Sequence, residues 1–182
     1  SVAIDEKFMK AVAADAEYEL LNPHSQEPMG KVRAKEIFDL MIECAWKSGD
    51  PGFIVIDRIN KSSSNPTPAI GAIEATNPCG EQPLLAWEPC NLGSLNLANF
   101  VEGPVMQGTF NFKRLACVVE TTVRFLDDVI EINNYPLAEI ERMAKGNRRV
   151  GLGVMGFAEA LVKMGIPYDS PASLEFATKL MR

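Results

Sequence analysis

The stretch from Lys113 to Ile132 places Leu115, Val118, Val119, Thr122, Leu126 and Val129 at helical spacing, with charged residues between them. A pattern of this length and period admits an amphipathic helix that must bury one face against another element. The short apolar run Phe53-Ile54-Val55-Ile56, preceded by turn residues, predicts the other kind of element, a strand buried on both faces of a parallel sheet. A helical pattern over Lys31 to Ser48 leads into that strand, and helix followed by buried strand defines an α/β layout. At 182 residues, 47% hydrophobic and 23% charged, the chain is long enough for roughly one globular domain at about 100–200 residues per domain.

The remaining elements follow from the same reading. Ser1 to Ile4 reads as a short strand, and Asp5 as the N-cap of a helix carrying Phe8, Met9 and Val12. Asn22 to Pro28 is a polar turn. Within Lys31 to Ser48, Ile37, Leu40, Met41 and Cys44 form the apolar stripe, and Gly49 is the stop signal. Lys61 to Asn77 shows no period, and a connection of that length in a compact domain is more often functional than idle. Leu95 to Val101 alternates like a strand and ends at Gly103-Pro104. Cys117, beside the long helical stripe, reads as a packing residue. Helices are expected over Pro136 to Ala144 and Gly156 to Met164, with a strand over Val150 to Val154. Ser173 to Arg182 reads as a helix still in progress, which suggests a piece of something larger.

Charge and composition exclude several classes. Eighteen basic against 24 acidic residues give a net charge of −6, so no positive field draws in a nucleic-acid backbone. No apolar run approaches a membrane span, and Ser1 to Glu6 lacks the layout of a signal peptide, so a cytoplasmic protein is expected. Cys44, Cys79, Cys90 and Cys117 are too sparse for a disulfide scaffold, which leaves redox, radical, nucleophilic or metal chemistry. A metal site is not expected, because Cys79 and Cys90 lack close pairing and the single histidine, His24, lies in a distant polar loop. Asp127 and Asp128 are adjacent on a helix and diverge by about 100°, which favours a solvated face.

Gly151, Gly153 and Gly156 spell the glycine pattern of dinucleotide-binding turns. The acidic residue that should follow a second strand is replaced by Asp169 in a turn-like Gly165-Ile166-Pro167-Tyr168 context. Close strand-helix packing is the stronger reading, with a dinucleotide-dependent oxidoreductase as the weaker one.

The segment richest in chemistry is Asn77-Pro78-Cys79-Gly80-Glu81-Gln82-Pro83-Leu84-Leu85, followed by Glu88-Pro89-Cys90-Asn91-Leu92-Gly93-Ser94. Pro78, Gly80 and Pro83 forbid a helix and favour a tight turn, so Asn77, Cys79 and Glu81 can converge at a loop tip. An amide, a thiol and a carboxylate in one small volume are the components of an active site, with a surface loop of incidental residues as the other reading.

This segment resembles the finger loop of ribonucleotide reductase catalytic subunits, closest to the adenosylcobalamin-dependent class. Ala45 to Gly52, Ile56 to Asn60 and Asn147 to Ala158 agree with the same family in order, so the likeness covers essentially the whole chain. The resemblance implies an α/β fold, part of a ten-stranded barrel with a central finger loop at about 77–90, the chain 1–182 being a central segment of that domain. It implies that Cys79 carries the thiyl radical, Glu81 is the general base on the 3′ hydroxyl, Asn77 binds the substrate sugar, and Cys90 is one of the reducing cysteine pair. It further implies a ribonucleotide substrate, adenosylcobalamin as cofactor, and a nucleotide effector bound outside this segment. A thioredoxin-like or glutaredoxin-like reductant and a homodimer of the full enzyme are implied as well. Alone, the segment is expected to be inactive, the alternative role being a non-catalytic piece that completes a split barrel.

Overall fold

The computed structural model describes residues 1–182. It is mixed α/β and divides into two compact units, Ser1–Ala86 and Trp87–Arg182. Ten strands form five separate two-stranded sheets, so no closed barrel is present within the chain.

In the first unit, strand β1 (Val2–Ile4) leads into helix α1 (Glu6–Ala13). Asp5 caps α1 as expected, its carboxylate accepting from the Phe8 amide at 2.6 Å. A hairpin follows that the sequence reading overlooked, β2 (Glu17–Leu21) against β3 (Pro28–Arg33), antiparallel with a bulge between Leu20 and Leu21. Its turn is the polar Asn22 region, where Asn22 Oδ1 accepts from the His24 and Ser25 amides. Helix α2 (Ala34–Ser48) therefore starts three residues after Lys31, and Gly49 closes it in a left-handed conformation. Strand β4 (Phe53–Val55) pairs parallel with β1, Val2 opposite Phe53.

Two expectations are corrected here. Of the predicted α2 stripe, Met41 packs, with Ala34 and Phe38 beside it against Ile4, Phe8, Tyr18 and Val55, and Cys44 is half-buried, whereas Ile37 and Leu40 lie exposed. The core of this unit sits one helical step away from the most hydrophobic line. Strand β4 is not buried on both faces, since Phe53 is exposed and Ile54 and Val55 are half-buried, because β4 has a single partner strand. Helix α3 (Ile56–Lys61) then opens the irregular connection, which ends in the short antiparallel pair β5 (Ala75–Thr76) and β6 (Pro83–Leu84).

The second unit is built on β7 (Asn91–Asn96) paired parallel with β10 (Val150–Met155) over six residue pairs, Asn91 opposite Val150 through Asn96 opposite Met155. The expected strand over Leu95 to Val101 is thus shifted. Asn96 Oδ1 accepts from the Ala98 amide at 3.1 Å and turns the chain into a 3-10 helix, Leu97–Phe100, whose Leu97, Ala98 and Phe100 are buried. The alternation seen in the sequence belongs to that buried turn. Strands β8 (Val101–Glu102) and β9 (Thr109–Phe110) form a small antiparallel pair before helix α4 (Phe112–Ile132). Leu115, Leu126 and Ile130 are its buried residues, and Cys117 is exposed rather than packed.

Helix α5 (Ala138–Asn147), β10, helix α6 (Phe157–Met164) and helix α7 (Pro171–Leu180) complete the unit. Its core joins Leu97, Phe100, Phe110, Leu115, Ala160, Leu161 and Phe176, with Phe110 and Phe176 edge to face at 5.0 Å.

Gly156 makes the β10-to-α6 turn in a left-handed conformation, φ 69°, and a Cβ there would lie 2.2 Å from Asn96 Oδ1. This is the close strand-helix packing expected of the glycine pattern. Gly156→Ala should lower stability by about 1–2 kcal/mol from the backbone conformation alone, with the Asn96 clash added to it. Gly146→Ala should raise stability by about 0.5–1 kcal/mol, since Gly146 lies within α5 and nothing comes within 4 Å of an added Cβ. Urea unfolding of the two variants checks both signs.

Candidate functional site

The β5/β6 pair presents residues 77–82 as a hairpin loop in the first unit. Pro78 cannot donate to a ladder and Gly80 adopts φ 84°, so the loop leaves the strand geometry as the proline and glycine spacing predicts. Asn77 closes it from within. Its amide donates to the Gln82 carbonyl at 3.2 Å, its carbonyl accepts from the Gly80 amide at 3.0 Å, and its Oδ1 accepts from the Gln82 amide at 3.0 Å. With Oδ1 already accepting from the loop, the Asn77 amide nitrogen remains as a donor for a ligand.

Cys79 and Glu81 project from this loop and are exposed, while Asn77 is half-buried. The structure therefore carries the amide, the thiol and the carboxylate on one short loop, with no hydrogen bond joining the three side chains. Cys90, half-buried, belongs to the second unit, directly ahead of β7. His24 is an exposed loop residue, and no cluster of three or more His, Cys, Asp or Glu side chains is arranged to hold a metal ion.

Carboxamides hold the base of the loop. Asn60 Nδ2 donates to the Ile73 carbonyl at 2.9 Å and to the Ile56 carbonyl at 3.2 Å, while its Oδ1 accepts from the Ile73 amide at 2.7 Å. Asn65, 5% exposed, donates to Asn60 Oδ1 and to the Gly71 carbonyl and accepts from the Thr67 amide. Asn60 thus clamps both backbone groups of fully buried Ile73, two residues ahead of β5, as a strand partner would. The aperiodic stretch Lys61 to Asn77 is ordered by side chains in place of a backbone ladder. The sequence reading missed Asn60 and Asn65, and the available signal was a pair of asparagines flanking a Ser- and Pro-rich stretch.

In the second unit, the residues just before Cys90 are held differently. Glu88 is buried, and its carboxylate accepts from Asn147 Nδ2 at 2.7 Å and from Arg149 Nη2 at 2.9 Å. Asn91 Nδ2 donates to the Leu126 carbonyl at 3.0 Å. The neighbouring Arg148, left-handed at φ 50°, donates to Asp127 Oδ1 at 2.7 Å and also pairs with Glu131. Asp127 is thus half of an ion pair on a helix face that is solvated as expected, its side chain 47% exposed and Asp128 exposed. The Arg148 guanidinium donates a hydrogen bond that holds the Asp127 carboxyl below its ordinary value of 3.8.

The chain thus carries one parallel strand pair in each unit and presents a thiol and a carboxylate on one loop of the first. The family model for the ribonucleotide reductase barrel domain matches residues 1–182, and the chain belongs to that family. It is 45% identical over its whole length to the vitamin B12-dependent ribonucleoside-diphosphate reductase of Thermoplasma acidophilum, covering 23% of that protein. It is equally 45% identical, over its whole length, to the enzyme of the same description from Mycobacterium tuberculosis, covering 25% of it. The ribonucleoside-diphosphate reductase large subunit of Variola virus is 31% identical over 97% of this chain and 26% of its own length. The chain spans about a quarter of the length of these curated relatives.

Two outcomes test this geometry. Asn60→Ala strands the buried Ile73 amide and should cost about 1–3 kcal/mol in urea unfolding, with Asn60→Asp no better, because a carboxylate offers no donor to the Ile73 carbonyl. Asp127 stabilises the fold above its unfolded-state value, and that contribution is lost as pH falls through its lower folded value. Between pH 6 and pH 2 the urea midpoint of Asp127→Asn should therefore fall less steeply than that of the parent chain.

Proposed function

We propose that this chain supplies the radical-bearing loop and one reducing cysteine of a ribonucleotide reductase, which converts ribonucleotides to 2′-deoxyribonucleotides for DNA precursor synthesis. The observation that carries this reading is the 77–82 loop, which presents Asn77, Cys79 and Glu81 together on a chain that matches the family along its entire length.

In this reading the Cys79 thiyl removes the 3′ hydrogen of the ribose. Glu81 takes the 3′ hydroxyl proton, and the Asn77 amide nitrogen donates to the sugar, which suits a side chain whose oxygen is already bound to Gln82. The 2′ hydroxyl takes a proton and leaves as water, Cys90 and a second cysteine give two electrons and two protons in all as they become a disulfide, and Cys79 returns its hydrogen to C3′, which restores the thiyl. Adenosylcobalamin would supply the radical-initiating chemistry, to which the Cys79 thiol would be the recipient. The exposed Cys79 thiol at a loop tip is accessible to a radical source outside this chain, and no residue of the chain is assigned to hold the cofactor. The 45% identity to reductases described as vitamin B12-dependent, against 31% to the Variola virus large subunit, favours this cofactor.

The finer architecture, a ten-stranded barrel around the finger loop, is supported within each unit by strands that have one partner and exposed apolar side chains. Phe53 on β4 is 55% exposed, and Leu92 on β7 and Met155 on β10 are 52% and 53% exposed. Parallel strands of this kind are normally covered on both faces. A cytoplasmic, reducing location fits the free thiols of Cys44, Cys79 and Cys117, and no helix is long and apolar enough to cross a membrane. A nucleotide effector, a thioredoxin-like or glutaredoxin-like reductant and a homodimer complete the proposed assembly.

The test is ribonucleotide reduction by the full-length protein containing this chain, with added adenosylcobalamin and a dithiol. Cys79→Ser and Cys90→Ser should each abolish product, and Glu81→Gln should slow turnover by about 10²–10⁴. Reduction that survives Cys79→Ser would instead assign the chain a purely architectural role.

A further inference from the structure

We infer that Glu88 and Arg149 are positioning residues for Cys90, a buried ion pair that carries the β7/β10 register past the point where backbone hydrogen bonds can hold it. The inference rests on the proposed redox role of Cys90. The backbone pairing of β7 with β10 begins at Asn91 opposite Val150, and the Asn91 amide reaches the Arg149 carbonyl only at 3.4 Å. One residue before Cys90 stands Pro89, which has no N–H and cannot extend the ladder. Cys90 therefore sits where regular pairing has ended, at a place where a sulfur that must meet a partner sulfur needs a fixed position.

Glu88 replaces the missing ladder. Its side chain is 1% exposed, and its two carboxylate oxygens are occupied by Asn147 Nδ2 at 2.7 Å and Arg149 Nη2 at 2.9 Å. The Arg149 side chain is 15% exposed, against 32% or more for the basic partner of every other ion pair on the chain. Cys90 is thereby bracketed, with Glu88 tied to Asn147 and Arg149 on one side, and Asn91 tied to Arg149 and to the Leu126 carbonyl on the other. Charges are costly to bury, and apolar residues of similar volume stabilise at least as well, so a buried pair suits a position where register matters more than stability.

The test uses the full-length protein, reduced, with alkylation of each cysteine followed by peptide mass spectrometry. In Glu88→Leu/Arg149→Met the unfolding midpoint should hold, while local opening of the 88–91 segment speeds Cys90 alkylation by at least about tenfold. In the same variant kcat for ribonucleotide reduction should fall by at least about tenfold with KM unchanged, as expected when a reacting group is misplaced and substrate binding is not. Arg149→Lys keeps the charge without the planar fork and should fall between parent and double variant in both measurements. It also gives a readout should the double variant not fold. Unchanged Cys90 alkylation in the variants, or kcat that follows the unfolding midpoint alone, overturns the inference. A parent protein that reduces no ribonucleotide overturns the proposed function, and the alkylation rates then still decide whether the ion pair positions Cys90.

Discussion

Parallel strand pairing is the constraint on which both units depend. A parallel pair cannot be closed by a tight turn, so the chain between its strands must cross over through other structure. Between β1 and β4 it passes through α1, the β2/β3 hairpin and α2, and the core of Ile4, Phe8 and Ala34 forms where those elements meet the pair. Between β7 and β10 the crossover includes the 3-10 helix, α4 and α5, and a Cβ added at Gly93 of β7 would lie 3.7 Å from Leu126 on α4. The crossover helices α2 and α4 are amphipathic because one face of each packs against the rest of its unit.

Where regular pairing stops, polar side chains take over. Asn60 and Asn65 hold the stretch ahead of β5, Asn77 closes its own loop, Asn96 starts the 3-10 helix, and Asn111 caps α4 by accepting from the Arg114 amide at 2.8 Å. An asparagine can both donate and accept, so one side chain satisfies the N–H and C=O that a neighbouring strand would otherwise meet. Glu88 with Arg149 does the same beside Pro89, using charge in place of an amide. The residues assigned to chemistry stand on segments held this way. Such segments can take backbone shapes that helices and strands cannot, while remaining ordered enough to direct a side chain.

Features written in local periodicity or local capping were legible in the sequence. The Asp5 cap, the Gly49 stop, helix α4 and the tight turn around Gly80 all depend on residues within a few positions of one another. Features decided by distant partners were not. Tyr18 and Leu20 alternate with glutamates, yet their strand is stabilised by a partner that lies across the Asn22 turn. The packed stripe of α2 is chosen by Phe8 and Tyr18, which no spacing within α2 reveals. Arg149 reads as an ordinary strand-flanking arginine until Glu88, 61 residues earlier, is placed against it. Of the candidate site, the residue types and their common loop were legible, whereas the supports beneath them were invisible because each is a long-range contact.

The exposure of Cys79 and Glu81 bears on how labour is divided under the proposed function. A thiyl radical in contact with water and oxygen is short-lived, and a thiol open to solvent moves readily along the oxidation ladder. A carboxylate serving as base on a sugar hydroxyl likewise gains from the exclusion of water. Neither condition is met by residues 77–82 as this chain alone presents them, for the loop is stiffened by Asn77 and its base by Asn60, yet nothing in the first unit covers its tip. Placement and enclosure are thus separate tasks. The chain performs the first through its carboxamide clamps, and under the proposed function the second would fall to surfaces outside the first unit. Stiffening a loop before it is covered has a physical advantage, since the entropy of ordering it is already spent when the enclosing surface arrives.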